Sequence, residues 1–232
     1  MPVAPISKPR SLDPRTAAAL ADTPEECESQ AVEERRASAQ RGWDVLNACL
    51  DRGRFPRRLF TNWSLVLDHW RAELKTHADA PRFIARMIAF RGGDVQGDVD
   101  QLQRNGIPLL SLSDASSDID ARKGRLIVVR GELIEGVKWV PPGASLFVET
   151  TLRSVPMRSS RYNINETFVE RSFGTGNFAF VKAGPKGSDL MTGREYVLLV
   201  RVDGSMTSTR WSGKMPLLTV VAGYLPASTL YD

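Results

Sequence analysis

Two cysteines and two histidines are all that the 232 residues hold of the thiolate and imidazole metal ligands. Cys27 and Cys49 stand outside any Cys-x-x-Cys spacing, and His69 and His77 are eight positions apart, about two helical turns, so neither pair makes a zinc pattern. No metal site and no cofactor is expected, and both thiols are expected to be reduced, as in a cytosolic protein. Long apolar runs are missing as well: nothing approaches the ~20 residues of a membrane-spanning helix. The first residues, MPVAPISKPRSLDPR, place prolines where a signal peptide requires an unbroken apolar core. The expectation is therefore a cytoplasmic protein with no membrane partner.

A large excess of one charge is also lacking, since 31 basic residues face 27 acidic ones and the net charge is +4. The charge is blocked instead. Residues 1–40 carry 5 Lys/Arg against 7 Asp/Glu, residues 41–91 carry 10 against 5, residues 92–122 carry 2 against 6, and residues 123–232 carry 14 against 9. Two basic bodies joined by an acidic connector suit an anionic partner, although solvated helix and sheet faces produce the same pattern.

What is present begins with a proline-rich arm over residues 1–12, with Pro2, Pro5 and Pro9. Asp13-Pro14 can cap and open a helix, and Thr23-Pro-Glu-Glu26 spells a capping box. The helix begun there is expected to run towards Arg52, with Gly42 as a weak point and Gly53 as the stop. A second helix opens at Pro56, with Leu59, Trp63, Val66, Trp70 and Leu74 on one face. A third starts near Asp79-Ala-Pro81, and a short fourth spans Val95 to Asn105.

From Gly124 the period becomes alternating, and six strands are expected: RLIVVRGELIE, SLFVETTLRSV, ETFVERSF, NFAFVKA, EYVLLVRV and PLLTVVAGYL. Gly131 and Gly223 suit bulges at corners. The long first strand with its internal glycine, GRLIVVRGELIEG, and the late pair EYVLLVRVDG and PLLTVVAGYLP make residues 124–232 resemble an oligonucleotide/oligosaccharide-binding (OB) fold, a small Greek-key barrel. The fold class is α+β: an arm (1–12), a helical domain of three to four helices (13–106), an acidic connector (107–123) and an OB-like antiparallel β-barrel (124–232). The resemblance implies binding of single strands or a part in protein assembly.

Known catalytic patterns fail on inspection. Gly174-Thr-Gly176-Asn-Phe-Ala179-Phe-Val181 has the spacing of a kinase glycine-rich loop, but only 51 residues follow Val181 and they hold neither a catalytic loop nor a metal-binding motif. Gly174 and Gly176 are read as a turn between two strands. Gly184-Pro-Lys-Gly-Ser188 is no Walker loop, because its lysine precedes the glycine and a proline removes an amide. No catalytic residue is assigned, and an enzyme is not expected.

Two functions remain. The first is a non-enzymatic assembly or adaptor subunit that binds protein partners, or further copies of itself, through the arm (Pro2, Pro5, Pro9), the helical module (Trp43, Trp63, Trp70) and the barrel. The alternative is a single-stranded nucleic-acid binder that stacks bases on aromatics drawn from Tyr162, Phe168, Phe173, Phe178 and Phe180 while Arg158, Arg161, Arg171, Lys182 and Lys186 follow the phosphates. In an alternating strand Phe178 and Phe180 share a face, which serves either as core or as platform.

Overall fold

A computed structural model describes residues 12–51, 63–156, 168–184, 190–208, 210 and 213–227. The chain divides into two compact units, 1–60 and 61–232, so the boundary falls inside the 13–106 span read as one helical domain.

The first unit holds α1 (Pro14–Leu20), α2 (Pro24–Ala37) and α3 (Ala39–Asp51). Asp13 caps α1, accepting from the Thr16 amide, and the Thr23/Glu26 capping box closes the start of α2 in both directions. The expected single helix from Thr23 to Arg52 is two. Ser38 is extended at φ −160°, its amide closes on the Glu34 carbonyl, and α3 folds back against α2. Gly42 is the point of close approach: a Cβ there would stand 2.7 Å from the Ala31 carbonyl oxygen and 2.6 Å from Arg35 Cβ. The thiols expected to be reduced are instead joined in a Cys27–Cys49 disulfide with Cα atoms 5.9 Å apart. Sequence spacing missed this pair because the chain reversal at Ser38 is what brings the two cysteines together.

The second unit holds α4 (Trp63–Thr76), α5 (Ala80–Phe90), α6 (Val95–Arg104) and α7 (Leu112–Ser117), followed by β1 (Leu126–Ile134), β2 (Ser145–Pro156), β3 (Phe168–Lys182), β4 (Glu195–Thr207) and β5 (Lys214–Tyr224). The helix start expected at Pro56 lies outside the described residues. The strands are hydrogen-bonded in a ring, β1-β2-β3-β5-β4 and back to β1, with every pairing antiparallel except β3 with β5.

Alternation sorts the side chains. Ile127, Val129, Phe147, Ala179, Val181, Leu198, Val200, Leu218 and Val220 fill the ring interior, joined by Leu112 and Ala115 of α7. The acidic connector thus supplies core as well as charge. On the other side of β1 and β4, Val128, Val197 and Leu199 are fully buried, and α5 packs on β4 and α6 on β1. A sheet with two apolar faces must be covered on both, and the unbroken runs LIVV and YVLLV carry that requirement in sequence.

Among the described residues there are five strands where six were expected, because FVERSF and NFAFVK lie in one 15-residue strand, β3. Gly174 and Gly176 belong to a bulge rather than a turn: between the pairs Val148↔Phe178 and Thr150↔Gly174, one residue of β2, Glu149, faces three of β3, Thr175 to Asn177. Gly131 and Gly223 are likewise close approaches. A Cβ on Gly131 would meet the Val148 carbonyl oxygen at 2.1 Å, and one on Gly223 would meet Leu190 Cδ2 at 2.7 Å.

Candidate functional site

Polar chemistry in the second unit gathers where β2 and β3 leave the ring. Among the described residues, β2 beyond Glu149 pairs only with β3, and β3 before Phe180 pairs only with β2. The two strands therefore continue as a ribbon, 150–156 against 168–174, whose outer edges pair with no other strand among the described residues. An isolated two-stranded ribbon is marginal in water, so its base has to be anchored.

Two clusters provide the anchor. Glu149 is 9 % exposed, and its carboxylate accepts from Thr175 Oγ1 at 2.8 Å and Asn177 Nδ2 at 2.7 Å, both donors being carried by the bulge. The extra residues of β3 thus satisfy a buried charge. In the second cluster, Arg130 is 4 % exposed and donates to Glu195 Oε2 at 2.8 Å, to Ser172 Oγ at 3.0 Å and to the Gly92 carbonyl at 2.7 Å. Ser172 Oγ donates in turn to Glu195 at 2.7 Å. One arginine thereby ties the ribbon to β4 and satisfies the C-terminal end of α5, where the helix dipole favours a cation. Burial alone would raise the Glu195 carboxyl, but hydrogen bonds from Arg130 and Ser172, with the Arg130 charge, bring it below the ordinary range. Glu195 is therefore a fixed anion, ill suited to hold a proton for acid catalysis near neutrality.

Further along the ribbon, Arg153 and Arg171 stand directly opposite each other and both are exposed. The Arg153 guanidinium lies 5.7 Å from the ring centre of Phe173, which is itself 38 % exposed. Like charges placed opposite on two strands repel, which leaves this face ready to accept an anionic group. Beside the bulge, Asn177, Phe178, Lys214 and Pro216 line an open depression of about 370 Å³.

Phe178 and Phe180 do point out of the ring, on the same side as Lys182, yet they make no platform. Phe180 is fully buried and Phe178 half-buried, covered by Val137, Trp139, Val140 and Ala144 of the β1–β2 connection. Trp139 meets Phe180 edge to face at 6.2 Å. Lys182 is exposed, away from the ribbon arginines and beside Asp203. Burial raises that carboxyl, but hydrogen bonds from Thr219 and Arg201 outweigh it, and the Arg201 and Lys182 charges lower it further. Trp43, Trp63 and Trp70, expected at partner surfaces, are 1 %, 0 % and 0 % exposed and serve as core. Pro2, Pro5, Pro9, Arg158, Arg161, Tyr162 and Lys186 lie outside the described residues.

Arg153 was missing from the expected binding set, and the signal that reveals its place beside Phe173 is register. Only the ribbon pairing places Arg153 beside Arg171 and Thr151 beside Phe173. No group of three or more metal-ligating side chains occurs among the described residues, and none of their helices is long and apolar enough to cross a membrane. No family model matches the chain, and no curated protein is similar to it in sequence.

Proposed function

We propose that this chain is a non-enzymatic assembly subunit that binds protein partners, and that its ring is an OB-like barrel with the β2–β3 ribbon as the contact surface. The Greek-key order β4-β1-β2-β3 within the ring supports the barrel reading. The observation that carries the functional reading is the ribbon itself: two strands that leave the ring with edges open among the described residues, an exposed aromatic and two opposed arginines. Open edges invite an added strand, and aromatic residues and Arg are enriched at protein interfaces. The partner segment is then extended and acidic.

Single-stranded nucleic acid is the second reading, favoured by the Arg153–Phe173 stack, since cations beside an aromatic face suit phosphate and base together. The cover over Phe178 and Phe180 weighs against it. Co-purification from the native source, with wild type and with Arg153→Glu/Arg171→Glu, is the test. A protein that accompanies the wild type and binds the variant at least about tenfold more weakly supports the assembly reading. A labelled oligonucleotide whose affinity falls steeply with salt, with a shallower slope for Arg171→Ala, would overturn it in favour of the second.

A further inference from the structure

The first unit is a small body. Among its described residues the buried side chains are Ala17, Ala18, Ala21 and Ala31 with Trp43, Val45, Leu46 and Leu50 and the two cysteines, so four of the eight apart from the cysteines are alanines. Segments of this size rarely bury enough apolar surface to stand alone and commonly depend on a disulfide, a metal or a partner. Cys27 and Cys49 are 0 % and 1 % exposed and join the start of α2 to the end of α3. The sequence contains no other cysteine, so no alternative pairing within the chain competes.

We propose that the Cys27–Cys49 disulfide is what keeps residues 12–51 folded, and that the chain accordingly acquires its working form in an oxidising compartment rather than in a reducing cytosol. The bond forms by exchange with a disulfide donor. One cysteine thiolate attacks the donor and forms a mixed disulfide, and the second thiolate displaces the donor as a dithiol. Two electrons pass to the donor, and the two protons lost by the cysteines balance those its thiols gain. In the folded unit the bond shortens the loop of the competing unfolded chain across a sequence separation of 22. Losing it raises the open population of this unit by about a hundredfold. A glutathione-buffered compartment would keep both thiols reduced and the unit largely open. Residues 61–232 contain no cysteine and are indifferent to the change, which makes them an internal control.

The test uses the full-length chain. Protein from the native source is alkylated under denaturing conditions with and without prior reduction, and the modified cysteines are counted by mass. No alkylation before reduction and two after is the expected result; two alkylated thiols before reduction would overturn the compartment assignment. Limited proteolysis then compares wild type with Cys27→Ala/Cys49→Ala. Cleavage within residues 12–51 should be about a hundredfold faster in the variant, while cleavage within 63–227 stays unchanged. A variant as resistant as wild type over 12–51 would show that the bond is dispensable for the fold and overturn that half of the proposal.

Discussion

Asp98 shows how one residue can hold several elements of the second unit together. It lies on α6, is 4 % exposed, accepts from Trp63 Nε1 at 2.9 Å, and meets Arg91 through Nε and Nη2 at 2.9–3.2 Å. Arg91 also lies 5.8 Å from the Trp63 ring centre, so the first residue of α4, the end of α5 and α6 converge on one ion pair. Burial raises the Asp98 carboxyl above its ordinary value, with Arg91 and Trp63 opposing. Replacing it with alanine leaves a largely buried guanidinium without its anion, and such breakage costs about 3–5 kcal/mol. Urea denaturation of Asp98→Ala should show that loss; a loss under about 1 kcal/mol would mean that water or a side-chain shift rescues Arg91. Glu195 offers the complementary test by pH. Its folded pKa lies below its unfolded value, so its contribution is complete above pH ~4.5 and is lost as pH falls through the lowered folded value. Glu195→Gln removes that term, so stability measured between pH 6 and pH 2.5 should fall less steeply with acid in the variant than in wild type. Equal slopes would assign the acid sensitivity to other carboxylates.

At the scale of elements, β3 carries most of the difference between pattern and fold. Its glycine-rich centre supplies neither a phosphate loop nor a hairpin turn, but a bulge whose polar side chains meet Glu149. The two kinds of strand glycine separate experimentally. A Cβ at Gly174 would meet nothing within 4 Å, so Gly174→Ala should change stability by no more than about 0.5 kcal/mol. Gly131→Ala forces β1 away from the Val148 carbonyl and should cost about 1–3 kcal/mol. Thermal melts of the pair decide it, and a damaging Gly174→Ala would contradict the bulge geometry. Local signals were legible wherever they are local in physics: the Asp13 and Thr23 caps, the Pro81-led α5 with its end at Gly92-Gly93, the bounds of β1, β2 and β5 to within two residues, and the start of β4, which runs on to Thr207 where the expected strand stopped at Val202. What the sequence did not disclose depends on distant partners. The bulge needs Glu149 on the facing strand, the break at Ser38 needs the packing of α3 on α2, and the ribbon needs the point at which β1 stops pairing with β2.

For the whole molecule, the helices serve two different bodies. α1, α2 and α3 close on their own core, whereas α4 to α7 belong with the strands, because the outer sides of β1 and β4 are as apolar as the ring interior. Val128, Val197 and Leu199 would each face water without those helices, so an isolated 124–232 segment, the barrel domain expected from sequence, lacks part of its cover. A fragment spanning 61–232 keeps it. Burial at these positions is worth about 1.5–3 kcal/mol per large aliphatic side chain, comparable in sum with the net stability of a domain. The 61–232 fragment should therefore unfold in one cooperative transition, followed by Trp fluorescence and circular dichroism at coincident denaturant midpoints. The 124–232 fragment should instead bind a dye for exposed apolar surface and melt without a sharp transition. A cooperative 124–232 fragment would mean that the ring is self-sufficient and that the helices only decorate it. A non-cooperative 61–232 fragment would mean that the cover over β1 and β4 does not make this unit self-sufficient.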